Sequence, residues 1–228
     1  MHPSAVYRDR SEAGRYLARQ LVSYQNTPNL VVLSLPRGGV PVGYEVAAAL
    51  QAPLDVFIVR KLGMPGHTEL AIGAIAHGIT VLNEEIADHV SPASIEKIIC
   101  KEKIELAIRE SRYKEHRPDI TLSYRPVILV DDGIATGASM RAAVQTLRQA
   151  KPASIVVATP VGASESCELL RSVADQIICA FTPNPFYSVG LWYEDFSQTT
   201  DEEVIEFLNR SKAAHQQRTL PKKAGHAT

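Results

Sequence analysis

The ten residues Asp131-Asp132-Gly133-Ile134-Ala135-Thr136-Gly137-Ala138-Ser139-Met140 constrain this chain more than any other stretch. They follow the unbroken apolar run Val127-Ile128-Leu129-Val130, the pattern of a strand buried on both faces, and pass directly into a helical pattern. The small residues from Gly133 to Ser139 let backbone N–H groups close around a phosphate at a helix N-terminus, where the helix dipole favours an anion. Asp131 and Asp132, at the strand end, suit the vicinal hydroxyls of a ribose. Carboxylates placed beside a phosphate repel it unless something stands between them. A ribose with its 5-phosphate on one side and its hydroxyls on the other separates the two, so the motif asks for a ribose 5-phosphate.

Elsewhere short apolar runs alternate with helical stretches, the pattern of a parallel sheet covered by helices. Strands are expected at residues 30–35, 54–59, 127–130, 155–159 and 176–181, with helices at 42–50, after the small-residue turn to 150, and at 164–173. Asp9 with Glu12, and Thr200 with Glu203, form capping boxes that open an N-terminal helix through about residue 24 and a C-terminal one over 201–208. Val204, Ile205 and Leu208 of the second should pack on the first. Ser91, with Pro92 at the first helical position, caps a long helix reaching about residue 115. The glycine-rich stretch 63–78 reads mostly as loop, with a short strand at 71–76 paired to 79–82. Residues 211–228 are polar, contain Pro221 and Gly225, and read as a disordered tail. The expected architecture is α/β, a parallel twisted sheet flanked by helices, in one domain over 1–210. Its core is at 28–182, and residues 1–27 and 183–210 form a small hood.

Lys plus Arg total 24 and Asp plus Glu 25, a net charge of -1, so the balance gives no reason to expect nucleic-acid binding and any anion site must be built locally. Cys100, Cys167 and Cys179 are scattered without a CxxC pair and read as buried free thiols, as in a reducing compartment. The first residues, MHPSAVYRDRSEAG, lack a charged-then-apolar leader pattern. No run approaches the ~18 apolar residues of a membrane span. A soluble, cytoplasmic protein is expected.

The run VILVDDGIATGASM resembles the phosphoribosyl pyrophosphate (PRPP) binding motif of type I phosphoribosyltransferases. A hydrophobic run, two acids, two variable positions, then small-Thr-Gly-small-Ser/Thr fixes many positions at once, far more than a lone glycine-rich turn does. Gly133 departs from the usual branched aliphatic residue, and Ser139 stands where Thr is commoner, but neither removes a needed group. The resemblance covers about residues 28–182 and implies the type I phosphoribosyltransferase fold. It implies transfer of the 5-phosphoribosyl group from PRPP to a nitrogen of a nucleobase-like acceptor, release of pyrophosphate, Mg2+ as cofactor, and a homodimer. Asp131 and Asp132 would hold the ribose from outside the metal's own ligands. Relatives specific for purines often carry an acid just before the motif's Thr, where this chain has Ala135. Adenine- and uracil-type relatives also have alanine there, which turns the expectation away from hypoxanthine and guanine without selecting a base.

A second constellation, Leu35-Pro36-Arg37-Gly38-Gly39-Val40-Pro41-Val42-Gly43, lies between the first strand and its helix and resembles the family's pyrophosphate loop. Arg37 would supply charge, while Gly38 and Gly39 permit backbone angles that other residues resist. The GxGxxG order of a dinucleotide-binding turn is absent, and the second strand ends in Arg60-Lys61 where such folds place an acid. Arg60 and Lys61, followed by LGMPGHTELAIGAIAHG, occupy the place of the family's flexible catalytic loop. Both side chains suit a pyrophosphate, Arg as a fork and Lys as a point charge. His67 reads as a solvated loop residue and Glu69 as one that pins the loop. Residues 182–196 gather much of the aromatic content and, by the same resemblance, hood the acceptor. Phe186, Tyr187 and Trp192 would stack on it, with Glu194 and Asp195 accepting from its edge. The same rings can instead pack the hood onto the core.

The long helix interleaves Glu96, Lys97, Arg109, Glu110 and Arg112 with Ile95, Ile98, Ile104 and Ile108, and reads as a solvated face with spaced ion pairs or, alternatively, a homodimer contact. Two rival functions use the same loops. A PRPP-sensing regulator would need a basic surface or an added nucleic-acid module, and a scaffold on this fold would not need to keep Asp131, Asp132, Arg37, Arg60 and Lys61.

Overall fold

The apolar runs become strands because each must bury both faces. The computed structural model describes residues 5–65, 67–113 and 120–219. In chain order the elements are α1 (Arg10–Gln20), β1 (Val31–Ser34), α2 (Gly39–Leu50), β2 (Leu54–Val56), β3 (Arg60–Met64), β4 (His67–Ala76), β5 (Ile79–Leu82), α3 (Glu84–Ala87), α4 (Pro92–Tyr113), β6 (Pro126–Val130), α5 (Ala138–Gln149), β7 (Ser154–Val161), α6 (Ser164–Leu170), β8 (Gln176–Phe181) and α7 (Asp201–Thr219).

Five parallel strands form one sheet in the order β2-β1-β6-β7-β8. Alternate residues feed opposite layers, as the pleat requires. Val32, Ile128, Val130, Val156 and Ala158 pack with Leu17, Val46, Leu106, Val204 and Leu208 from α1, α2, α4 and α7. Val31, Leu33, Val127, Leu129, Ile155 and Val157 pack with Met140, Val144, Leu147 and Leu170 from α5 and α6. Each of the larger side chains, Ala158 aside, stabilises the fold by about 1.5–3 kcal/mol on burial. The chain runs outward from β1 to β2 and later returns to place β6 on the other side of β1. The loops after β1 and β6 therefore diverge and open a crevice at their carboxyl ends.

The hood is built from both ends of the domain, as expected. The N–H groups of Val6 and Tyr7 donate to the Trp192 carbonyl at 3.1 and 3.0 Å, and those of Glu194 and Asp195 donate to Tyr7 and Arg8 at 2.9 and 2.8 Å. Asp9 caps α1 by accepting from the Glu12 N–H at 2.7 Å, while Glu12 reaches back to the Arg8 N–H rather than to that of Asp9. At α7 the box is complete, with Thr200 Oγ1 accepting from the Glu203 N–H and Glu203 from the Thr200 N–H.

Several expectations are corrected. The expected pairing of 71–76 with 79–82 is present as β4 with β5, but the remainder of the stretch is not loop: β4 extends back to His67 and β3 joins it in an antiparallel meander, because Leu62, Ile72 and Ile75 are buried against the core and outweigh the glycines around them. Helix α7 runs to Thr219 rather than residue 208 and takes in the first nine residues of the expected tail, since Ser211 is buried and helix formers continue until Pro221. Its main neighbour is α2 rather than α1, with Tyr44 against Phe207 at 5.2 Å, while Val204 and Leu208 share a buried cluster with Leu17 and Ile205 stays exposed. Residues 220–228, and the expected end of the long helix at 114–115, lie outside the described residues. Of the three free thiols Cys167 is buried and Cys179 half-buried, whereas Cys100 is exposed on α4, whose sequence mixes polar and apolar residues all round. Among the described residues no helix is long and apolar enough to cross a membrane.

Candidate active site

The acidic pair stands at the carboxyl end of β6, in the crevice. The Asp132 N–H donates to Asp131 Oδ1 at 2.9 Å, which turns the two carboxyls apart. Burial resists ionisation of Asp131 and the neighbouring Asp132 carboxylate adds to this, holding its pKa well above the usual range. Asp132 is compensated from outside the motif: Arg10 Nε, on α1, donates to its Oδ2 at 2.8 Å, with both side chains largely buried. The Arg10 guanidinium also donates to the Ser197 carbonyl at 2.7 Å and lies 3.9 Å from the centre of the Phe196 ring. The Tyr193 hydroxyl donates to the Asp132 carbonyl at 2.6 Å, tying the hood to the same residue.

After the pair, Ile134 is buried and bridges to Gly162, its N–H donating to the Val161 carbonyl at 2.9 Å, so its side chain anchors the loop in the core rather than facing a ligand. Ser166 Oγ donates to the Ala135 carbonyl at 2.6 Å. From these two pins the exposed residues Ala135, Thr136, Ala138 and Ser139 stand out, and Gly137, at φ 72°, turns the chain into α5 in a left-handed conformation that favours glycine. The first N–H groups of α5 have no partner within the helix and are suited to an anion. Gly133 is needed for space: a Cβ there would lie 2.3 Å from Val189 of the hood.

The Leu35–Gly39 loop crosses directly in front of the acids, and the peptide between Pro36 and Arg37 is cis. Gly38 has an ordinary helical conformation at φ -59°, so the expected need for unusual angles is corrected to one of space. A Cβ on Gly38 would lie 2.0 Å from Asp132 Oδ2, and one on Gly39 would lie 2.9 Å from the Val130 carbonyl. Arg37 opens into a cavity of about 360 Å³ that it shares with Asp131, Ser139, Arg109, Arg112, Tyr113 and Asp201. Sequence reasoning placed Arg109 and Arg112 on a solvated face. With Tyr113 they form one face at i, i+3 and i+4, and that face looks into the crevice.

The two basic residues on β3 part company, as adjacent strand residues must. Lys61 lines a larger cavity of about 740 Å³, together with Thr136, Gly137, Ala138 and Arg141. Arg60 turns away and pairs with Glu102 on α4, its Nε donating to Oε2 at 2.7 Å, which removes it from the arginines around Arg37. His67 is exposed on β4, and the side chain of Glu69 lies outside the described residues.

In the hood Trp192 is buried, packs edge-on against Phe181 at 5.2 Å, and joins Tyr7, Ala13, Val161 and Tyr193. Phe186 packs half-buried on this cluster. The expected stacking face of Trp192 is thus covered, because the ring fills the seam between hood and sheet. Glu194 and Tyr187 are exposed. Arg10, Tyr193, Arg109, Arg112, Tyr113 and Asp201 contact the acids or line the cavity beside them, and none was assigned to a site in the sequence.

The model of the phosphoribosyl transferase domain matches residues 6–184. Over 209 residues the chain is 44% identical to two curated proteins of Mycobacterium tuberculosis, from strains CDC 1551 and H37Rv, both provisionally named phosphoribosyl transferases. The match covers 90% of this chain and 47% of each relative, so the chain spans about half the length of the curated relatives it matches. The crystal structure of TT1426 from Thermus thermophilus superposes with a TM-score of 0.83 at 40% identity, covering 90% of this chain and 98% of that one. Sequence, sheet order and strand-end loops converge on one ancestry: the chain belongs to the phosphoribosyl transferase domain family and has the type I phosphoribosyltransferase fold.

Proposed function

We propose that the protein transfers the 5-phosphoribosyl group of PRPP to a nitrogen of a nucleobase-like acceptor and releases pyrophosphate. The observation that carries this reading is the position of Asp131, between the exposed turn at residues 135–139 and the cavity holding Arg37, Arg109 and Arg112. PRPP has the same order of charges: a phosphate, two hydroxyls, a pyrophosphate. The turn takes the 5-phosphate, with Lys61 and Arg141 on its far side. Asp131 and Asp132 accept from the ribose hydroxyls, and the arginines take the pyrophosphate.

In the reaction the C1–oxygen bond breaks and its electron pair leaves with pyrophosphate, while positive charge spreads over C1 and the ring oxygen. The acceptor nitrogen donates its lone pair to C1 and loses its proton to solvent. The Asp132 carboxylate, joined by that of Asp131 as it ionises, stabilises the developing cation, and Arg37, Arg109 and Arg112 stabilise the developing anion. The donor set fits a metal that arrives with the substrate: Asp132 is already committed to Arg10, and Asp131 resists ionisation, so the pair suits hydroxyl donors better than a bare cation. Asp131 and Asp132 are the residues that would hold Mg2+ together with its substrate. When bound, the ion supplies neutralisation of the leaving group.

Homodimer formation belongs to the same reading, supported by Ile104 and Ile108, which stand exposed one turn apart on α4. Sedimentation tests it. The activity is tested by measuring pyrophosphate release from PRPP and Mg2+ across a panel of bases. Release with one base and none without it is the expected result; absence of both release and PRPP binding across the panel removes the proposal.

A further inference from the structure

Besides Asp131, which the reading above assigns to the ribose, one further acid in the arginine-lined cavity has the wrong sign for a pyrophosphate seat. Asp201, the first residue of α7, projects among the cations. The Tyr113 hydroxyl donates to its Oδ1 at 2.5 Å, Arg112 Nη1 donates to its Oδ2 at 3.0 Å, and Arg37 Nη1 lies 3.7 Å from Oδ1. Three separate parts of the chain meet here: the loop after β1, the last turn of α4 and the first turn of α7. What converges is a receptor for an anion with two or more oxygens, and the anion it holds is a carboxylate of the same chain.

The arrangement is poised for exchange rather than locked. The side chains of Arg37 and Arg112 are 37% and 57% exposed, and ion pairs this open contribute only about 0–1 kcal/mol. The hydrogen bond from Tyr113 and the two arginines hold the Asp201 carboxyl below its usual range, so it is charged at neutral pH. Burial, followed by Asp201 itself, pushes the Tyr113 phenol up to about 12, so it remains a donor. A phosphate offers more charge and more acceptors to the same donors than a carboxylate does.

We propose that Asp201 is a built-in stand-in for pyrophosphate: in the free protein it keeps Arg37, Arg112 and Tyr113 assembled as an anion receptor, and a phosphate group of the ligand displaces it, coupling the start of α7 to occupancy of the site. This rests on the PRPP reading above. It adds Arg112 and Tyr113 as pyrophosphate-binding residues and Asp201 as their competitor.

The test is calorimetric titration of the full chain with inorganic pyrophosphate and Mg2+, and separately with PRPP and Mg2+. Asp201→Asn preserves the shape but removes the charge, and Asp201→Ser is a second variant that also suits the start of a helix; melting temperature reports folding of both. With the competitor neutralised, pyrophosphate should bind about tenfold tighter, the equivalent of about 1.4 kcal/mol. Arg112→Gln and Tyr113→Phe should each weaken it several-fold. Unchanged or weaker binding in folded Asp201→Asn and Asp201→Ser overturns the proposal and makes Asp201 a fixed clamp. If the wild-type chain binds PRPP and the variants show no gain, only this inference falls. If pyrophosphate binds, and binds tighter to the variants, while PRPP does not bind at all, the anion seat stands and the PRPP reading falls. No binding of either ligand by any variant overturns both.

Discussion

Arg10 and Asp132 lie 122 residues apart in the chain, yet their side chains meet at 2.8 Å and are 11% and 15% exposed. The contact joins the hood to the acidic pair, because the same guanidinium donates to Ser197 and rests on Phe196. Removing one partner of a buried pair leaves the other charge uncompensated, so Arg10→Ala should cost about 3–5 kcal/mol of stability. Arg10→Ala combined with Asp132→Asn should recover much of that loss. Urea unfolding of both single variants and the double variant measures the coupling. A coupling energy near zero contradicts the pair.

Gly38→Ala should disrupt the same residue from the other side. The backbone at Gly38 is ordinary, so alanine meets no conformational barrier, but its methyl would sit 2.0 Å from Asp132 Oδ2. The carboxyl must rotate away and give up Arg10. PRPP affinity should fall by at least tenfold, about 1.4 kcal/mol, with a loss of stability beside it. Calorimetry on the variant decides; affinity equal to that of the wild-type chain means that the close approach of loop and acid is dispensable.

What was legible in the sequence was what neighbouring residues decide together. Residues 127–140 specify strand, acids, turn and helix in one run, and the structure sets them at the crevice as read. Of the meander β3-β4-β5 only the pairing of 71–76 with 79–82 was legible; β3 and the start of β4 were hidden because the glycines there speak locally for loop, while the burial of Leu62, Ile72 and Ile75 depends on a core assembled elsewhere. Arg112 looked like part of a solvated face, and Tyr113 drew no reading at all, because their partner, Asp201, is 89 and 88 residues away. Gly38 was recognised as necessary for the wrong reason: angles are visible in a residue type, but the approach of Asp132 is not. Trp192 presented two roles that composition cannot separate, and only its packing against Phe181 does so.

The raised pKa of Asp131 gives a pH dependence whose sign follows from its cause. In the unfolded chain the carboxyl titrates near about 3.9, whereas in the folded protein burial and Asp132 hold it higher. The stability associated with the protonated carboxyl is therefore complete below the unfolded value and lost as pH rises through the folded one. Asp131→Asn keeps that neutral form at every pH, so it should be more stable than the wild-type chain at neutral pH, with the difference closing as pH falls. PRPP affinity should run the other way: the wild-type advantage over the variant should grow as pH rises and the carboxylate forms. Taking the ratio of the two proteins at each pH cancels the ionisation of PRPP itself. Melting curves and titrations across the acid range check both, and a ratio independent of pH removes Asp131 from ribose recognition.

Trp192 should prove a packing residue. Its ring is 6% exposed, wedged between Phe181, Tyr7 and Tyr193 where the hood meets the sheet, and it offers no open face for an acceptor to stack on. Trp192→Ala should therefore cost about 3–5 kcal/mol of stability, the range for deleting a buried aromatic ring. The indole Nε1 is buried without an acceptor among the described residues, so Trp192→Phe gives up no hydrogen bond there and should recover most of the loss. Acceptor and PRPP affinities, measured below the melting transition, should stay within about threefold of the wild-type values, less than the ~1 kcal/mol at the low end of base stacking. The stacking role predicts the reverse for Trp192→Ala: an unchanged melting temperature with acceptor binding weakened by about 1–3 kcal/mol on that scale, roughly five- to 150-fold. Differential scanning calorimetry and acceptor titration on these two variants separate the outcomes, because a ring that seals the seam moves the melting transition and a ring that holds the acceptor moves the binding isotherm.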